Sequence, residues 1–174
     1  MAVAVADAVG ANAETLTLTP SGTDRRIWSG ITHDAPGNTA GVPACTFAGG
    51  AAFTEVGESD DVAGQYLAVM VDAAEPAASA GTLDCTGTDL PTNGLMGIAL
   101  SGVDRAAGTE SIQESEVTGT SITVAVTSGS TDDLVVGFFS INGKTAGWLT
   151  PTGDSPTERI DNGPDSMAID PDAR

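Results

Sequence analysis

The sequence predicts an all-β domain: a jelly-roll-like, two-sheet antiparallel β-sandwich preceded by an extended N-terminal arm. Three observations predict it. Short runs of strand-forming residues recur at fairly regular spacing, roughly nine to eleven of them, with turn signals between. Gly is 22 and Pro 9 of the 174 residues, so chain breakers are frequent. No amphipathic helical stripe of useful length occurs. That strand count fits two sheets closed around one core. The length suits one domain that buries roughly 70% of the surface its unfolded chain exposes.

Residues 1–13 are rich in Ala and Val with Gly10 and Asn12, which suits an extended arm that orders only against something else. Residues 15–19 (TLTLT) alternate cleanly and stop at Pro20-Ser21-Gly22. Residues 26–33 (RIWSGITH) are a second strand, followed by a turn at Asp34-Ala35-Pro36-Gly37-Asn38. Residues 44–47 and 52–56 flank Ala48-Gly49-Gly50 as a short hairpin. Strands follow at 65–72 (QYLAVMVD), 82–86 and 95–101, the last ending in the turn Ser101-Gly102-Val103-Asp104, and a weaker one at 111–117.

The clearest feature is the hairpin TSITVAVTSGSTDDLVVGFFSING, residues 120–143. Its first strand places Ile122, Val124 and Val126 on one face and Thr123, Ala125 and Thr127 on the other, so it is half-buried. Its second, residues 134–141, is apolar on both faces and must be covered on both. Residues 144–150 (KTAGWLT) are the last convincing strand of a sandwich spanning 14–150. Residues 151–174 form an acidic, loop-rich C-terminal segment in which only 166–169 can pair.

Asp and Glu number 24 against six Lys and Arg, a net charge of −18. Phosphate backbones and anionic membranes would be repelled over most of the surface, so neither nucleic acid nor a membrane is an expected partner. The charge suits a densely displayed or saline-adapted surface, with divalent-cation sites as the alternative. Residues 1–7 lack the basic start and apolar stretch of a secretory signal, and no run approaches the ~20 apolar residues of a membrane span. Synthesis in the cytoplasm is therefore expected. Cys45 and Cys85 are too few for a disulfide framework; buried reduced thiols are expected, with a single strand-to-strand bridge as the alternative.

No catalytic constellation emerges. His33 is the sole histidine, and no G-x-S-x-G surrounds a serine. The pairs Asp60-Asp61, Asp132-Asp133 and Glu114 with Glu116 arise readily in so acidic a chain, and the first two sit at turns. Gly143-Lys144-Thr145 ends like a phosphate loop, but Phe138 occupies the place of its first Gly. Asp161-Asn162-Gly163-Pro164-Asp165 offers hard oxygen ligands for Ca2+ without the EF-hand spacing, so no cofactor is expected beyond that option. No catalytic or metal residue is assigned, and a non-enzymatic role is expected.

The succession VPACTFAGGAAFTEV, QYLAVMVDAAEPAAS, GTLDCTG, GLMGIALSGVDRAAG and SITVAVTSGSTDDLVVGFFSI resembles a jelly-roll sandwich module of bacteriophage virion proteins and some bacterial surface proteins. The likeness covers residues 14–150 and lies in strands and turns. It implies a capsid decoration (cement) or fibre protein on the outer surface of a virion, with the major capsid protein as partner and a homo-oligomer such as a trimer as an option. The sequence departs from the module after residue 158, where a closing strand is expected and an acidic tail stands instead. An open sheet edge and a loose arm would let the subunit add strands to a neighbour. The expected attachment residues are Ala2, Val3 and Val5 of the arm and the basic pair Arg25-Arg26, which could instead pair with the protein's own carboxylates. As the alternative, a carbohydrate- or receptor-binding module would use Trp28, Tyr66 and Trp148.

Overall fold

The computed structural model describes residues 3–34, 44–60, 65–86, 94–106, 134–140, 157–162 and 165–170. Every regular element among them is a strand: β1 (Ala4–Asn12), β2 (Thr15–Leu18), β3 (Arg26–Asp34), β4 (Ala44–Phe47), β5 (Thr54–Asp60), β6 (Gln65–Val71), β7 (Gly81–Thr86), β8 (Gly94–Ser101), β9 (Val135–Ser140), β10 (Thr157–Asn162) and β11 (Asp165–Asp170). The expected strands at 111–117, 120–127 and 144–150 lie outside the described residues.

A five-stranded antiparallel sheet, ordered β1-β8-β3-β6-β5, packs on a three-stranded sheet ordered β2-β7-β4 to make a β-sandwich. A second three-stranded sheet, β10-β11-β9, covers the other face of the five-stranded one. The central sheet is therefore covered on both sides, and this explains β8. In its sequence GLMGIALS the first seven residues are buried. Leu95 and Ala99 point into the core shared with Leu16, Leu18, Cys45, Phe47, Leu83 and Cys85. Met96, Ile98 and Leu100 point the other way, toward Trp28, Leu134, Val136 and Phe138. A strand wet on one face would alternate with polar residues, and β8 does not.

β2 and β4 alternate as their sequences dictate. Leu16 and Leu18 are buried while Thr15 and Thr17 are exposed, and Cys45 and Phe47 are buried beside exposed Ala44. The turn at Ala48-Gly49-Gly50 uses left-handed backbone at Ala48 and Gly49, and Gly50 N–H closes it on Phe47 C=O at 2.9 Å. The expected hairpin between 44–47 and 52–56 survives only as a bridge at Thr46 and Ala52 and a bond from Phe53 N–H to Cys45 C=O. Beyond it the chain crosses between layers, and β5 pairs with β6.

Residues 4–12, expected as an arm, form β1. They pair with β8 from Ala4↔Ser101 to Asn12↔Gly94, with a bulge between Val5 and Asp7. The bulge turns Asp7 so that its Oδ2 accepts Thr19 N–H at 2.7 Å, tying β1 to the end of β2. Residues 157–162 and 165–170, expected to be mostly loop, form β10 and β11, which pair with each other, and β11 also pairs with β9. The expected pairing of 166–169 lies within β11.

Gly30 of β3 lets the third layer approach. A Cβ there would run into the Phe138 ring and come within 3.1 Å of Met96 Cε. Gly30→Ala is expected to destabilise the protein by about 1–3 kcal/mol. Hydrogen exchange should rise in 134–140 and 157–170 before it rises in 15–18 and 81–86. Uniform loosening of both outer sheets would contradict this packing.

Candidate functional site

The most heavily built polar constellation sits where β3 begins, β6 ends and β8 leaves the central sheet. The chain reaches β3 through a turn with left-handed Gly22 and Asp24. That turn is clamped to the exit of β8 by Gly102 N–H on Thr23 C=O at 2.8 Å and Val103 N–H on Asp24 C=O at 2.9 Å. Asp72, one residue past β6, then lies between two cations.

The Asp72 carboxylate is buried. Its Oδ2 accepts Ile27 N–H at 2.7 Å, and its Oδ1 accepts Arg105 Nη1–H at 2.7 Å. Arg105 also donates to Arg25 C=O at 2.8 Å and, at 3.4 Å, to Asp72 C=O. Arg26 Nε lies 3.8 Å from Asp72 Oδ1, too far for a hydrogen bond, and this buried atom has no other partner among the described residues. Arg105 thus supplies hydrogen bonds and Arg26 supplies charge. Burial pushes the Asp72 carboxyl up from the usual carboxylate range, although Arg105, the Ile27 amide and Arg26 all pull it down. Burial, and then the neighbouring charge of Arg105, lower the pKa of Arg26 against the pull of Asp72.

Arg25 turns the other way. Its Nη2 meets Glu75 at 2.9 Å, its Nε donates to Pro76 C=O at 2.8 Å and its Nη1 to Gly22 C=O. The constellation joins three distant stretches of chain, and it holds neither a nucleophile nor a base positioned by a third group. Its chemistry is that of a latch. Among the described residues no group of three His, Cys, Asp or Glu side chains could hold a metal ion.

The sequence-predicted site residues are therefore dispersed. Arg25 and Arg26 pair with the protein's own Glu75 and Asp72, the alternative to docking a partner. Val3 and Val5 pack against Met96, Ile98 and Leu100, inside the subunit. Tyr66 is buried, its hydroxyl 3.3 Å from Glu58 Oε2, and Trp28 is half-buried against the third layer. Ala2, Trp148, Asp132-Asp133 and Glu114 with Glu116 lie outside the described residues. Of Asp161-Asn162-Gly163-Pro164-Asp165, Asp161 and Asn162 end β10 and Asp165 begins β11, with Asn162 paired to Asp165, while Gly163 and Pro164 lie outside the described residues. Asp72, Glu75 and Arg105 were missed, because an acid at a strand end and an arginine in a turn carry no local signal of their pairing.

The cysteines expected as reduced thiols are joined. Cys45 and Cys85 face each other in the β4-β7 ladder, with Cα atoms 4.1 Å apart, and form a disulfide buried in the inner core. Two strand positions directly opposite one another bring Cβ atoms within bridging reach, and spacing along the chain does not reveal that register.

The net charge of −18 makes a further prediction. Asp72 does not oppose it: a carboxyl raised by burial contributes stability that is fully present below its unfolded pKa and lost as pH rises through the folded value. Self-repulsion of the anionic surface should dominate near neutrality. Raising NaCl from about 0.1 to about 2 M is expected to raise Tm by roughly 5–10 °C at pH 7 and by less at pH 5. A Tm independent of salt would show that the charge is evenly screened already.

No family model matches the chain, and no match was found among curated proteins or solved structures.

Proposed function

We propose that this chain is a non-enzymatic structural subunit of a virion, a decoration (cement) protein on the outer surface of a phage capsid, built on a jelly roll. The observation that carries the reading is the nesting of strand pairs. β1 pairs with β8, β2 with β7 and β3 with β6, and Thr46 of β4 bridges to Ala52, ahead of β5. Three nested pairs divided between two sheets support the reading of a jelly roll. Three further features support it: the likeness of residues 14–150 to virion modules, the anionic surface, and a buried disulfide of the kind that persists outside a reducing cytosol.

Attachment falls to the edge of the central sheet. Among the described residues β1 is an edge strand of nine residues with neither Lys nor Pro, guarded only by the bulge and Asp7 near one end. A strand or arm of the major capsid protein would add alongside it. Because β1 belongs to the fold, deleting residues 2–13 would strip β8 and unfold the subunit, so a point change is the sharper tool. The purified protein is expected to cosediment with undecorated capsids, saturating at a fixed ratio to capsid subunits. Ala4→Lys, at an exposed position of β1, should weaken binding at least tenfold with Tm unchanged. Absence of saturable binding by the unaltered protein would overturn the reading, and full binding by the variant would move attachment away from β1.

A further inference from the structure

Cys45 lies on β4, a four-residue strand at the edge of its sheet among the described residues, where β7 is the one strand paired along its length. Both bridged cysteines point inward, at 0% and 1% exposure, among Phe47, Met70 and Leu83. Thiol–disulfide exchange requires a thiolate to reach a sulfur, so no external thiol can attack while β4 lies in place. A strand this short opens locally at small cost when, besides its ladder, only one bridge at Thr46 and Ala52 and one bond from Phe53 N–H hold it. The bridge makes that opening far rarer.

We propose that Cys45–Cys85 is a self-shielding redox lock: it closes while β4 is lifted, pins β4 to β7, and so excludes the thiols that would undo it. The reduced sandwich keeps the same strands, because two thiols behave as small core hydrophobes and the Ser29 hydroxyl lies 3.8 Å from Cys45 Sγ. Closure uses a small-molecule disulfide as oxidant. One cysteine thiolate attacks it, forming a mixed disulfide and releasing one thiolate. The second cysteine attacks the protein sulfur of that mixed disulfide and expels the other thiolate. The protein loses two protons and two electrons, and the oxidant becomes two thiols. The lock stands apart from the decoration reading and holds whatever the subunit attaches to.

The test is reduction of the oxidised, folded protein by dithiothreitol, with thiols counted over time. The expected rate is on the order of 100-fold below that in denaturant and levels off at high reductant, where opening of β4 limits it. Amides of residues 44–47 should exchange faster in the reduced protein than in the oxidised one by a similar factor. A rate that matches the denatured protein and keeps rising in proportion to reductant would overturn the lock, as would equal exchange of 44–47 in the two redox states. Loss of the β signal on reduction would overturn it too, by making the bridge a condition of folding.

Discussion

Removing the Cys45–Cys85 bridge, by reduction or by changing both residues to Ala, is expected to lower the free energy of unfolding by about 4 kcal/mol. The bridge spans a sequence separation of 40, and closing a loop of that size in the unfolded chain carries roughly that entropy. For a chain of this length the same loss is a fall in Tm of roughly 8–16 °C. The Ala pair should cost somewhat more than reduction, since each sulfur also fills space between Phe47, Leu83 and the central sheet. Urea titrations of oxidised, reduced and doubly substituted protein separate the two contributions. A difference below 1 kcal/mol between oxidised and reduced protein would mean that the unfolded chain is already compact around residues 45–85, so that the cross-link removes little from it.

Asp72→Ala is expected to cost about 3–5 kcal/mol. The substitution leaves Ile27 N–H without its acceptor and strands Arg105 and the buried Arg26 beside each other with no counter-charge. Arg105→Met alone should cost less, about 1–3 kcal/mol, because Asp72 keeps the Ile27 amide and the charge of Arg26. The two changes together should cost less than their sum by about 1–3 kcal/mol, since removing Arg105 relieves the repulsion that Asp72→Ala creates. Additive losses would show that the latch acts through packing and not through charge. Burial has already raised the Asp72 pKa, so the carboxylate is held charged at a cost, and its value lies in joining three stretches of chain.

Several strands were legible in the sequence. TLTLT became β2 through its period of two, and RIWSGITH and QYLAVMVD became β3 and β6 because strand-forming residues between turn signals act locally. β1 was not legible as a strand: AVADAVGAN is mostly Ala and Gly with weak strand preference, and pairing with β8 is what fixes it. TERIDN is too polar to announce β10, and of β11 only the run 166–169 was legible. The third layer had a signal that went unread, the unbroken apolar run LMGIAL in β8, which only a sheet covered on both faces tolerates. Long-range pairing hid the rest. Cys45 with Cys85 and Asp72 with Arg105 become neighbours only once strand register is set.

The nested order of strands also sets the timing of folding. β1 leaves the ribosome before β2 to β7, yet its partner β8 follows all of them, and β2 must likewise wait for β7. Folding cannot proceed strand by strand from the N-terminus, and contacts so distant in sequence form slowly. During that wait the unpaired edges of β1 and β2 are open to other nascent chains. Like charge distributed along the whole polypeptide keeps those chains apart, so the acidity of the finished surface also protects the protein while it is being made.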